Sequence, residues 1–96
     1  MQIRFLREAE IELAEARLWY SLQGEGLDVA LMKRVDQALN AIVAAPLSYP
    51  VVYRNLRRVV VRQFPFAIFY EAIGNEIIVF AVYHSRRDPK RLISRL

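Results

Sequence analysis

The stretch that decides the fold runs Phe64-Pro65-Phe66-Ala67-Ile68-Phe69-Tyr70-Glu71-Ala72-Ile73-Gly74-Asn75-Glu76-Ile77-Ile78-Val79-Phe80-Ala81-Val82-Tyr83-His84. Phe66, Ile68 and Tyr70 alternate with Ala67, Phe69 and Glu71, the period of two that a strand with two distinct faces requires. In the second run Ile77, Val79, Ala81 and Tyr83 alternate with Ile78, Phe80, Val82 and His84. Gly74-Asn75 between them is a two-residue hairpin signal, since such turns need a left-handed φ that glycine adopts freely. Both sets of the second run are apolar, so it is expected as a central strand with one face under helices. Just upstream, Arg57-Arg58-Val59-Val60-Val61-Arg62 is a β-branched run flanked by arginines, and Gln63-Phe64-Pro65 makes a tight connection from it. The order is strand, strand, strand, each antiparallel to the last.

The chain before Pro50 has a different period. Ala9, Leu13, Ala16 and Tyr20 recur at steps of three and four, an apolar stripe along a helix from about Arg7 to Leu22. Glu8, Glu10 and Glu12 crowd its first turns, where the helix dipole favours negative charge. With Glu15 they spread over more than one face, so the set is expected as a solvated flank and not as a ligand cluster. Trp19 and Tyr20 are expected as core or rim aromatics. Gln23-Gly24-Glu25-Gly26 breaks the helix. Leu27, Leu31, Val35, Ala38, Leu39 and Ile42 then mark a second one over about Leu27–Ala45, ended by Pro46. Gln2–Leu6 reads as an edge strand, and Asp88-Pro89 as the cap and first residue of a short helix over Pro89–Leu96. The expected fold is α+β: an N-terminal strand, an antiparallel two-helix hairpin on an antiparallel sheet of three to four strands, and a short C-terminal helix. All of it forms one domain over residues 1–96.

Composition excludes whole classes of chemistry. Apolar residues make up 55% of the 96, and only 3 Gly and 4 Pro interrupt them, which excludes a disordered or low-complexity chain. With no Cys and one His there is no disulfide framework, no thiolate nucleophile and no Cys- or His-rich zinc site. No Gly-rich phosphate loop and no metalloprotease, nucleophile-elbow or EF-hand pattern occurs, so neither cofactor nor metal is expected. Ser85 neighbours His84, but strand neighbours point to opposite faces, which argues against a Ser–His pair. No secretory signal or spanning segment is visible at the N-terminus or in the apolar run from Ile77 to Tyr83, so a cytoplasmic location is expected.

Charge is unevenly divided. Residues 1–45 hold 5 basic and 7 acidic side chains, a net of −2, and residues 46–96 hold 9 basic and 3 acidic, a net of +6. Twelve of the 14 cations are arginine, whose planar fork suits phosphate and carboxylate. Arg54, Arg57, Arg58 and Arg62 form one cluster; His84, Arg86, Arg87, Lys90, Arg91 and Arg95 form another. Both are expected on neighbouring strand segments of one sheet, a surface for a nucleic-acid backbone or an acidic protein segment. His84 there either titrates as an acid or base or makes a structural hydrogen bond.

Taken together, Ala9-Glu10-Ile11-Glu12-Leu13 through Trp19-Tyr20, Pro46, Arg57-Arg58, Phe64-Pro65-Phe66-Ala67-Ile68-Phe69-Tyr70 and His84-Ser85-Arg86-Arg87-Asp88-Pro89 resemble the RelE/ParE toxin superfamily over nearly the whole chain. The resemblance implies the toxin component of a type II toxin–antitoxin (plasmid stabilisation) module, partnered by a cognate antitoxin. Two activities are implied: RelE-like members cleave messenger RNA on the ribosome, whereas ParE-like members inhibit DNA gyrase. RelE-like ribonucleases tend to carry an arginine in the motif that here reads Phe66–Tyr70, where this chain has Ala67. They also tend to place a tyrosine shortly after the arginine corresponding to Arg87, but the last tyrosine here is Tyr83. Without those groups, charge stabilisation and proton transfer lose their usual providers, and the resemblance leans to ParE. As a ribonuclease the chain would rely on Arg58, Arg62, His84 and Arg87. As a binder, its target- or antitoxin-binding candidates are Arg57, Arg58, Arg62, His84, Arg86, Arg87, Lys90 and Arg91.

Overall fold

The computed structural model describes all residues from 1 to 96. Strand β1 (Gln2–Phe5) leads into α1 (Arg7–Gln23) and α2 (Leu27–Ala44), then β2 (Val51–Tyr53), β3 (Leu56–Val61), β4 (Phe66–Ile73), β5 (Glu76–His84) and α3 (Pro89–Ser94). The two long helices bury the expected stripes: Ala9 and Ala16 from α1, and Leu31, Val35, Ala38 and Ile42 from α2. Leu27, expected on the same stripe, is 37% exposed at the first turn of α2. The link between the helices needs glycine at one position. Gly26 sits at φ 80°, whereas Gly24 is extended, a conformation open to any residue.

The sheet has five strands in the order β1-β5-β4-β3-β2, not the three to four expected, and it is mixed instead of antiparallel throughout. β1 lies parallel to β5, with Ile3 opposite Ile77 and Phe5 opposite Val79, while every other pair is antiparallel. The crossover through α1 and α2 lets the first strand lie alongside the last, as parallel neighbours require. The extra strand is the short β2, which follows Pro50 and pairs with the start of β3. β5 is central, as expected, and Gly74 at φ 57° turns the β4–β5 hairpin.

The helices cover one face, with Val59, Val61, Ile68, Tyr70, Ile77, Val79 and Val82 beneath them. On the opposite face Leu56, Ala81, Tyr83 and Leu92 of α3 form a smaller cluster, with Phe69 and Phe80 against it. The strict alternation expected for β5 fails at one point. Phe69 pairs with Ala81 but Tyr70 pairs with Val79, so Phe80 is an extra residue in the strand. This bulge reverses the parity. Ile77 and Val79 before it, and Val82 after it, thereby share the helix-covered core, and Ala81 joins Tyr83 on the α3 side. Asp88 caps α3 as expected, accepting from the Lys90 N–H at 2.9 Å, with Pro89 in the first turn. No helix of the structure is long and apolar enough to cross a membrane.

Candidate functional site

The two cationic clusters do not sit on adjacent strands, because β4 lies between β3 and β5. They meet instead at one end of the sheet. Val61 pairs with Phe66, and Phe66 with His84, so the chain leaves β3 and β5 at the same end. There the Ser85 N–H donates to the Pro65 carbonyl at 2.8 Å, tying the loop after Arg62 to the loop carrying Arg86 and Arg87.

The arginines divide into those held by the fold and those free to meet a partner. Arg57 belongs to the first group: its Nη1 donates to the carbonyls of Leu47 at 3.0 Å and Tyr49 at 2.6 Å. It clamps the irregular segment between α2 and β2, whose carbonyls have no ladder of their own. Arg87 Nη1 reaches Glu12 at 2.8 Å, and its guanidinium lies 4.4 Å from the Tyr83 ring centroid. Arg95 grips Glu12 at 3.0 and 3.1 Å and also donates to the Phe80 carbonyl at 2.8 Å. The hydrogen bond to Glu12 is the main reason its guanidinium is held further towards the charged form than usual, against a smaller opposing effect of burial.

Glu12 therefore is not part of a solvated flank. Its side chain is only 11% exposed, and besides the two arginines it accepts the Val82 backbone N–H at 3.0 Å. The i, i+4 spacing of the acidic set carried no sign of this, because the partners lie 70 or more residues later. Glu10 and Glu15 are exposed, as expected of a flank.

His84 makes the structural hydrogen bond: its Nδ1 accepts from the Arg86 N–H at 3.0 Å, and its ring meets Phe66 edge-on at 5.1 Å. With Nδ1 an acceptor, the neutral ring carries its proton on Nε2. His84 also lines a cleft with Trp19, Tyr20, Pro65 and Phe66, so Trp19 and Tyr20 are rim aromatics. Of the four candidates for a ribonuclease centre, Arg87 is thus committed to Glu12, and His84 has one nitrogen engaged. Arg58 and Arg62 lie on the other side of β4, exposed on and just after β3. Ala67 is buried between its cross-strand neighbours Val60 and Tyr83.

Arg58, Arg62, Arg86, Lys90 and Arg91 are exposed and in no ion pair. Arg58 and Arg62 line a groove of about 650 Å³ between α2 and β3, together with Arg34, Ala38, Ala41 and Val60. Arg34 lies on α2 in the acidic half, so neither charge nor spacing in the sequence singles it out. Its Nε donates to Gln63 at 2.9 Å and its Nη1 to Gln37 at 2.9 Å, which fixes it at the groove.

Fold and surface together define a small α+β domain with two packed helices over a mixed sheet and a belt of free arginines at one edge and end. The chain belongs to the family described as the ParE toxin of the type II toxin–antitoxin system, parDE, whose match covers residues 3–89. Among solved structures it is similar to a chain of the chromosomal ParDE toxin–antitoxin system from P. aeruginosa, with a TM-score of 0.72 and 18% identity. That superposition covers 88% of this chain and 95% of the other. No curated protein matches.

Proposed function

We propose that the chain is a ParE-like toxin that inhibits DNA gyrase and is neutralised by a cognate antitoxin. Membership of the ParE toxin family carries the reading. The disposition of the arginines supports it: the cations left free lie along an edge and an end of the sheet, a shape suited to docking. The antitoxin's C-terminal segment would lie across the sheet and the helical hairpin, covering basic and apolar surface together. Leu18 and Leu22 on the outer face of α1 are 63% and 75% exposed and add apolar area for such a partner.

Purified toxin is expected to stop gyrase supercoiling of relaxed plasmid, with the antitoxin restoring it. Cleavage of message on translating ribosomes, abolished by Arg62→Ala and without effect on gyrase, would replace this reading with the ribonuclease one. The exposure of Arg58 and Arg62, with the loop after Arg62 tied to the loop after His84, is what favours that second reading. Induction without antitoxin that leaves growth unchanged would point to an inactive binding module.

A further inference from the structure

The helical hairpin and the sheet enclose an aromatic hollow at the end of β5 that the toxin reading does not use. Its floor is Ala16, 6% exposed, whose small side chain leaves the space open. Trp19 and Tyr20 follow Ala16 at the i+3 and i+4 positions of α1, so they stand over the same face one turn on. Phe66 and His84 lie opposite each other on β4 and β5, and Pro65 completes the wall. The space is about 350 Å³, at the small end of ligand sites.

The wall is curved. Trp19 meets Tyr20 at 86° with ring centroids 4.9 Å apart, Tyr20 meets Phe66 at 67° and 6.4 Å, and Phe66 meets His84 at 80° and 5.1 Å. A flat ring such as a nucleobase needs parallel faces to stack on, whereas a rounded group fills a curved wall. The wall is also poor in acceptors. Trp19 offers only an N–H, and so does neutral His84, whose Nδ1 is taken by the Arg86 N–H. Tyr20 carries the one side-chain acceptor, too few for the three N–H groups of a primary ammonium. Past Trp19, Phe66 and His84 the hollow runs on to Glu12, Glu15 and Arg87. Glu12 is engaged by Arg87 and Arg95, whereas Glu15 is exposed and in no ion pair. The uncompensated charge at this mouth is therefore negative, and Arg86 lines neither part.

We propose that this hollow binds a quaternary ammonium group, held by the aromatic rings and attracted by Glu15. A trimethylated nitrogen presents a rounded, methyl-covered cation that ring quadrupoles attract and that asks for no acceptor. Two sources carry such a group: a free small molecule of the choline type, and a trimethyllysine side chain of a protein. Trp19 is 56% exposed, so water screens part of the attraction and millimolar affinity is expected.

Trp19 is the only tryptophan of the chain, so its fluorescence reports on the hollow directly. Choline added to the full chain is expected to change that signal saturably. Its neutral isostere, with a tert-butyl group in place of the trimethylammonium, is expected to bind at least ~5-fold more weakly. Trp19→Leu, at an exposed position where circular dichroism should show the fold unchanged, is expected to weaken choline binding at least ~5-fold. The amide shifts of Phe66 and His84 read that variant by NMR. Glu15→Gln is expected to weaken binding about twofold and to reduce its salt dependence. A trimethyllysine peptide that binds at least ~10-fold tighter than choline assigns the site to a modified protein, and any smaller advantage assigns it to the free ligand. Equal affinity for choline and its isostere makes the hollow merely apolar and overturns the proposal. So does an unmethylated lysine peptide that matches the methylated one, or choline binding that survives Trp19→Leu intact. Absence of saturable binding by choline and the trimethyllysine peptide alike overturns it as well. None of these outcomes alters the gyrase reading.

Discussion

Replacing Glu12 with alanine should be among the most damaging single changes to a charged residue in this chain. The carboxylate accepts from Val82, Arg87 and Arg95, and it is 11% exposed. Not every partner counts equally. Arg87 is 42% exposed, so solvent screens it and its loss costs about 0–1 kcal/mol. Arg95 is 21% exposed and bidentate, and the Val82 N–H would be left facing a space with no acceptor. An unpaired buried donor costs about 1–3 kcal/mol, and breaking a buried ion pair about 3–5 kcal/mol before any discount for exposure. Discounting for the water around both arginines gives about 3 kcal/mol. For a domain of this size that corresponds to a fall in Tm of roughly 12–24 °C. Urea and thermal denaturation followed by circular dichroism measure it, with Glu10→Ala, an exposed neighbour in no ion pair, as the control within about 0.5 kcal/mol. Glu12→Gln keeps an acceptor for Val82 and should fall between the two. Equal stability of Glu12→Ala and Glu10→Ala would refute the claim that this carboxylate closes the edge of β5.

Arg57→Ala should cost about 2 kcal/mol, because the carbonyls of Leu47 and Tyr49 both lose a charged donor; chemical denaturation reads it. Burial, partly opposed by nearby Arg57, pushes the Tyr70 phenol above its ordinary pKa of 10.0, so below about pH 10 the neutral ring is stable in both states. Above that pH the unfolded chain releases the proton more readily, and stability should decline as pH rises through the folded value. Tyr70→Phe should remove this alkaline slope while lowering neutral-pH stability by about 1 kcal/mol, since the hydroxyl donates to Pro46 at 2.6 Å; unfolding curves at pH 7 to 11 separate the effects. Gly26→Ala, forced to φ 80°, should lose about 1 kcal/mol, measurable as a small drop in Tm.

The parts of the fold that were legible in sequence are those fixed by local pattern. The stripe Leu31, Val35, Ala38 and Ile42 told the buried face of α2 because a helix repeats its face every three or four residues. Gly74-Asn75 told the hairpin because few residues take the φ its turn needs. Neither the parallel pairing of β1 with β5 nor the bulge at Phe80 has such a local sign. The first depends on a partner about seventy residues away, and the second leaves an apolar run that reads equally well in either parity. The basic candidates illustrate the same limit. Arg57, Arg58 and Arg62 look alike in sequence, yet irregular backbone nearby makes one a clamp, and the other two are left exposed along the groove. Family membership was legible because its signature combines several such local patterns at fixed order.

The pairing of β1 with β5 also bears on when the protein acquires its shape. Gln2 lies opposite Glu76, and Glu12 is held by Arg95, so early elements of the fold wait for partners more than seventy residues later. During synthesis the helical hairpin can form early, and α2 can meet β3, but α1 lacks the strand it packs on until β5 has left the ribosome. A chain cut short before Glu76 would lack the strand that joins β1 to the rest of the sheet and the anchor of Glu12 together. The binding surface inferred for this molecule thus comes into being only once β5 and the segment that carries Arg95 have joined the earlier elements.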